Sequence, residues 1–308
     1  MDIAVVDPDL RAATTKLPVP NPRNPLLRQV IRVATRLLPT SAVAGVTHTT
    51  VRDGALRVLV YRPDTARTDA AVLWIHGGGF VIGSAKQDHR LCAETAAELG
   101  ITVVSAEYRL APDHPFPAPL DDVTAVWDWM LTHASELGID PARIVVAGES
   151  AGGGLAATLV QRLHDTATVQ PAAEWLFCPM LDDRTAADRS LDATDHFIWN
   201  NSANEFGWRC YLGRAPGSAD IPAYAVGARR DDLTGLPPTW ICVSDIELFH
   251  DEDVAYADRL RAAGVDATLD LVPGAPHGFE NWAAESAPAV ALKARARTWL
   301  ATTLGLRG

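Results

Sequence analysis

Short, uninterrupted apolar runs alternate along this chain with stretches whose apolar positions recur every three or four residues. The runs Val72-Leu73-Trp74-Ile75, Ile101 to Ala106, Ile144-Val145-Val146-Ala147, Trp175-Leu176-Phe177-Cys178, Trp240-Ile241-Cys242-Val243 and residues 267–272 read as strands. Between them the helical period predicts a helix over 88–99, where Gly100 supplies the stop, and another along Leu120, Val123, Val126, Trp127, Met130 and Leu131. Further helices are expected from Ala151 to about His164, over 251–264 ending at Gly264, and over roughly 286–303. Near the start, Leu26, Leu27, Val30, Ile31, Ala34, Leu37 and Leu38 fall on one face of a helix that Pro39 terminates. Alternation over 46–61 with Asp53-Gly54 in its middle predicts a hairpin.

Strands that are apolar throughout, separated by amphipathic helices, need cover on both faces. The pattern therefore predicts an α/β fold with a mostly parallel central sheet between two helical layers. One segment departs from the rhythm. Residues 182–235 hold no clear strand, and Phe197, Trp199, Phe206, Trp208 and Tyr211 crowd one part of it. A long insertion in such a fold is usually functional, often a lid over a site; a local helical subdomain with its own small core is the plainer reading.

The formal net charge of −11 narrows the functions open to this chain. It argues against nucleic acid, whose phosphates need clustered Lys and Arg, and against adhesion to anionic membranes. No stretch approaches the ~18 uninterrupted apolar residues of a membrane span. The N-terminus has no basic segment followed by an apolar one, so no signal peptide is expected, and the cytoplasm is the expected compartment. Cys92, Cys178, Cys210 and Cys242 form no C-x-x-C pair, and no metal or cofactor is expected. Cys178 and Cys242 sit in apolar runs and read as buried small hydrophobes.

Two glycine-rich segments carry candidate chemistry. Gly148-Glu149-Ser150-Ala151-Gly152-Gly153 follows a strand and opens a helix. That context turns a common G-x-S-x-G turn into a candidate nucleophile elbow, with Ser150 strained and exposed at a helix N-terminus. His76-Gly77-Gly78-Gly79-Phe80 directly follows another strand. Its backbone can approach a substrate and point amides inward, which assigns Gly78 and Gly79, with Ala151 beside the nucleophile, to an oxyanion hole. A phosphate loop is the competing reading, but no G-x-x-x-x-G-K-[ST] pattern exists. His76 is expected to pin its loop by hydrogen bonds. A general base should come late in the chain, and His277, in the loop Pro273 to Phe279, has that position. His164 and His196 read as structural or solvated. His250-Asp251-Glu252-Asp253 suggests a metal less than it suggests acids complementing a helix dipole. For the carboxylate partner of His277, spacing leaves Asp245 and Glu247 both open.

These segments, with Glu107-Tyr108-Arg109-Leu110-Ala111-Pro112-Asp113-His114-Pro115-Phe116-Pro117-Ala118 between them, resemble the hormone-sensitive-lipase family of α/β-hydrolases, also called bacterial esterase family IV. The resemblance runs from about residue 45 to the C-terminus. It implies an α/β-hydrolase catalytic domain over 46–308, with a cap built from N-terminal helices in 1–45 and the insertion 182–235. Aligning Leu248-Phe249 and Asp251-Glu252 with the family pattern places the triad acid at Glu247, where Asp is commoner. It implies a carboxylesterase acting on a small-molecule ester of short to medium acyl chain, with Phe80, Phe197, Trp199 and Trp208 expected along the pocket. The same machinery also serves amides, lactones or a specialised ester. A non-catalytic ligand-binding protein of this fold would be marked by loss of the His, and His277 is present. The resemblance extends to a homodimer through an exposed edge strand, of which the residues themselves carry no mark.

Overall fold

The computed structural model describes residues 1–17 and 22–306; residues 18–21 of the Pro-rich N-terminal stretch lie outside the described residues. In chain order it contains α1 (Pro8–Thr14), α2 (Pro25–Leu37), β1 (Val46–Asp53), β2 (Leu56–Pro63), β3 (Ala71–Ile75), α3 (His89–Leu99), β4 (Thr102–Glu107), α4 (Ala118–Thr132) and the short α5 (Ala134–Leu137). Then come β5 (Ile144–Glu149), α6 (Ala151–Thr166), β6 (Ala173–Phe177), α7 (Asp183–Ala187), α8 (Asn201–Leu212) and β7 (Thr239–Ser244). The chain closes with α9 (His250–Ala262), β8 (Ala267–Val272), the short α10 (Phe279–Trp282) and α11 (Ala287–Thr303).

The strands form one sheet in the order β1-β2-β4-β3-β5-β6-β7-β8. Only the β1–β2 and β2–β4 pairings are antiparallel. The expected hairpin turns at Gly54, whose φ of +56° suits glycine. The strands β3, β5 and β6 are buried residue for residue, which is why they read as apolar runs. One face of the sheet carries an aromatic stack of Trp74, Trp175, Phe177 and Trp240, with neighbouring ring centroids 4.8–6.3 Å apart. The register brings the C-terminal ends of neighbouring strands level: Ile75 pairs with Gly148, Glu149 with Phe177, and Phe177 with Cys242. The loops after β3, β5, β7 and β8 therefore open on the same edge, where sites form in such sheets.

Gly100 ends α3 in the left-handed conformation with φ +66°, and its amide donates to the Ala96 carbonyl. Residues 182–235 contain no strand; they hold α7, α8 and 3-10 turns. A helix at Pro8–Thr14, capped by Asp7, was not legible in a stretch rich in Pro, Asp and Thr. Glu252 does more than complement the dipole of α9. It is buried and accepts from the amides of Leu181 (2.7 Å) and Asp182 (3.0 Å), tying α9 to the segment after β6.

The helix α2 forms where its period predicts but turns against the usual rule for amphipathic helices. Leu26, Val30 and Leu37 are 79%, 62% and 74% exposed, while Arg28 and Arg32 are buried. The arginines anchor it. Arg32 donates to the carbonyls of Val81 (2.8 Å) and Ala111 (2.6 Å) and pairs with Asp113 at 2.5 Å. Arg28 donates to the Pro22 carbonyl at 2.8 Å and lies over the Phe206 ring. No helix among the described residues is long and apolar enough to cross a membrane.

Candidate active site

Ser150 sits between the end of β5 and the first residue of α6 with φ +54° and ψ −121°. That is an unfavourable conformation for a residue with a Cβ, and it persists only where the surroundings impose it. Here they do: the Ser150 amide donates to the Phe177 carbonyl (2.8 Å), and its carbonyl accepts from Met180 (2.8 Å) and Gly154 (3.0 Å). A Cβ on Gly148 would overlap the backbone of Gly152, and one on Gly152 would overlap the carbonyls of Ile75 and His76. The two glycines let the elbow fold back on itself and let the first turn of α6 touch the end of β3.

The loop after β3 is set by Gly78 (φ +117°) and Gly79 (φ +58°). The Gly78 carbonyl accepts from Val81 (3.1 Å) and Ile82 (3.0 Å), which folds the loop into a tight turn beside Ser150. His76 is fully buried and stacks on Tyr108 with ring centroids 4.2 Å apart. Its Nδ1 lies 2.8 Å from the Gly77 carbonyl, and the Tyr108 hydroxyl donates to the His76 carbonyl at 2.8 Å. Burial holds the imidazole below its ordinary pKa, so it stays neutral inside the loop it braces.

His277 lies 2.9 Å from Ser150 through Nε2 to Oγ, and 3.1 Å from Glu247 through Nδ1 to Oε1. All three residues are buried. Phe249 packs edge-on against the His277 ring at 5.3 Å, and the Trp282 indole donates to the His277 carbonyl at 2.9 Å. Asp245, the other candidate acid, is exposed and points elsewhere: its Oδ1 accepts from the Gly274 amide at 2.7 Å. An imidazole held between a hydroxyl and a carboxylate can take the hydroxyl proton while the carboxylate stabilises the resulting cation.

A cavity of about 230 Å³ reaches Ser150 and His277. Gly78 and Gly79 line it, together with Ile198 and Trp199 from the insertion and Thr35 from α2. Of the four aromatics expected along the pocket, Trp199 lies there; a Cβ on Gly79 would run into its indole. Phe80 and Trp208 do not. They are buried in the core, where Phe80 stacks on Tyr211 at 4.1 Å and lies 5.1 Å from Trp208. Phe197 is half-buried and packs against the core on the other face of the sheet. Their clustering in sequence signalled packing of the insertion onto the body, and only side-chain direction separates wall from filling. The cavity also holds Gln87, Asp88, Glu149, Asn281 and Trp282, which no motif singled out apart from the position of Glu149 beside the serine.

A profile described as "alpha/beta hydrolase fold" matches residues 72–281. The chain is 33% identical over 240 residues to the ethyl acetate hydrolase of Pseudomonas putida, covering 75% of this chain and 73% of that one. Among solved structures it is similar to a bacterial heroin esterase, with a TM-score of 0.88, 37% identity and 99% of each chain covered. It is also similar to an esterase from the bacterial hormone-sensitive lipase family, with a TM-score of 0.80, 28% identity, and 97% of this chain and 99% of that chain covered. The chain belongs to the α/β-hydrolase fold family, and within it to the hormone-sensitive-lipase type.

Proposed function

We propose that the protein is a carboxylesterase in which Ser150 is the nucleophile, His277 the general base and Glu247 the acid that orients it. The observation that carries this reading is the buried chain from Ser150 Oγ through both ring nitrogens of His277 to Glu247, at 2.9 and 3.1 Å. Ser150 Oγ attacks the ester carbonyl carbon as His277 Nε2 takes its proton. The C=O π bond opens onto oxygen, and the amides of Gly78, Gly79 and Ala151 stabilise that oxyanion. Collapse expels the alcohol, which leaves with the proton from His277. Water, deprotonated by the same imidazole, then attacks the acyl-enzyme and frees the acid and Ser150.

Residues 1–45 and 182–235 act as the cap, a role supported by Thr35, Ile198 and Trp199 reaching the cavity from those segments. A cavity of about 230 Å³ suits a small acyl group, being at or below the low end of ligand sites, roughly 300–1,000 Å³. The substrate is therefore a short- to medium-chain ester. β8 lies at the sheet edge with Leu271 exposed on it, which supports a homodimer through that strand.

The test is hydrolysis of p-nitrophenyl esters from acetate to dodecanoate by wild type and Ser150→Ala, with folding checked by circular dichroism. Turnover that favours the short esters and vanishes in Ser150→Ala is expected. A folded wild type that hydrolyses none of them would overturn the reading.

A further inference from the structure

Beside the serine lies a second buried polar group that the mechanism above does not use. Glu149 is the last residue of β5 and Asp88 immediately precedes α3; both are buried and both border the catalytic cavity. Their carboxyls lie side by side, close enough to share one donor. The Asn281 side-chain amide, on α10 just beyond His277, donates to both: to Asp88 Oδ1 at 3.2 Å and to Glu149 Oε2. The Trp74 indole of β3 donates to Asp88 Oδ2 at 2.8 Å. Gly278, with φ +66°, lets the His277 loop pass directly over Glu149; a Cβ there would lie 2.7 Å from Oε1.

This group joins the three segments whose relative position sets the Ser150–His277 distance: the nucleophile elbow, the end of the oxyanion strand and the histidine loop. Among the described residues no Lys or Arg donates to either carboxyl. The titratable groups facing the pair are acids or weakly acidic: Glu247 and Glu280, the thiols of Cys92 and Cys178, and the phenols of Tyr61 and Tyr108. The basic groups nearby are His277, which faces Glu280, His89, whose ring lies 3.2 Å from the Tyr61 hydroxyl, and Arg297, which faces Cys92. Two touching carboxylates without a cation cannot both ionise at modest cost. Burial pushes Asp88 up to about 7, and burial together with Asp88 and Glu280 pushes Glu149 well above the carboxylate range.

We propose that Asp88 and Glu149 share a proton and, through Asn281, position His277 against Ser150. They are positioning residues that touch no reacting atom, and the inference rests on the esterase reading. The shared proton is the bond between elbow and helix. When it is lost at alkaline pH, two adjacent carboxylates repel, Asn281 can no longer hold both, and the histidine loop shifts off Ser150.

The experiment is kcat and KM for p-nitrophenyl butyrate from pH 6 to 10 in wild type, Asn281→Ala and Glu149→Gln, each checked by circular dichroism. Glu149→Gln is isosteric and donates to Asp88 from an amide that does not titrate; Asn281 is only half-buried, so both variants should fold. Asn281→Ala is expected to lower kcat roughly 10- to 100-fold, the usual loss when a catalytic group moves by about an ångström, with KM changed less than about threefold. Wild type is expected to lose kcat on the alkaline side, and Glu149→Gln to flatten that limb. A wild type without an alkaline limb, a Glu149→Gln profile that keeps it, or a folded Asn281→Ala with wild-type kcat would overturn the proposal. A wild type inert at every pH would instead overturn the esterase reading.

Discussion

Glu247 Oε1 lies 3.1 Å from His277 Nδ1, while Asp245, two residues earlier on the same loop, is exposed and bound to the Gly274 amide. The loop after β7 reverses direction between them. Asp245 braces the backbone that leads into the histidine loop, and Glu247 meets the imidazole itself. Glu247→Gln is therefore expected to lower kcat by roughly three to four orders of magnitude, the range seen when a triad acid is lost. Asp245→Asn retains an oxygen for Gly274 and should keep most activity. Steady-state kinetics of both variants on one short ester decide the matter; a dead Asp245→Asn with an active Glu247→Gln would reverse the roles.

A second prediction concerns Gly79. Its φ of +58° and its contact with the Trp199 indole leave no space for a Cβ. Gly79→Ala should push Trp199 or the loop outward and pull an oxyanion donor off target, at a cost of about 10²–10³ in kcat. Adding Trp199→Ala should recover part of the loss, because it removes the collision and leaves only the backbone strain. If the double variant is no better than Gly79→Ala, the clash is not the cause.

The inverted orientation of α2 makes a third, opposite to intuition. Arg32→Ala removes donors from the carbonyls of Val81 and Ala111 inside the structure and should destabilise by roughly 1.5–3 kcal/mol, as for hydrogen bonds to charged groups. Val30→Ser and Leu37→Ser, on the exposed apolar face, should change stability by no more than about 0.5 kcal/mol. Urea denaturation would show it, and a larger loss at Val30 than at Arg32 would mean that α2 faces the other way.

Acid stability supplies a fourth. Glu94 on α3 is raised by burial but lowered more by hydrogen bonds from Arg90, Lys293 and Arg297, which hold its pKa down to about 2 against an ordinary value of 4.5. A depressed carboxylate stabilises the fold above its unfolded pKa and loses that contribution as pH falls through its folded one. The link between α3 and α11 should therefore weaken between about pH 4.5 and 2. Glu94→Gln should melt earlier than wild type at pH 7, and the two curves should converge near pH 2. Persistence of the gap at pH 2 would assign the loss to packing and not to charge.

Much of this protein was legible in its sequence because the signals are local. A strand buried on both faces is mostly apolar, so β3, β5 and β6 announced themselves despite Glu149 and Glu174 within them, and the glycines at 77, 78, 148 and 152 marked where backbone must approach backbone. Other features depend on where side chains from distant segments point. Which of Asp245 and Glu247 meets His277 is decided by a reversal within one loop. Whether Phe80, Phe197, Trp199 or Trp208 faces the cavity is decided by rotation of elements whose composition is alike. The same holds for α2, where a helical period is a property of the chain, but the face turned inward is the one whose Arg32 donates to the carbonyls of Val81 and Ala111. Asp88, Glu149 and Asn281 have no shared motif, since each lies on a different element and their meeting exists only once the sheet has closed. Periodicity and backbone geometry are thus written residue by residue along the chain, whereas pairing between polar side chains is settled by tertiary packing, because the partners come from segments far apart in sequence.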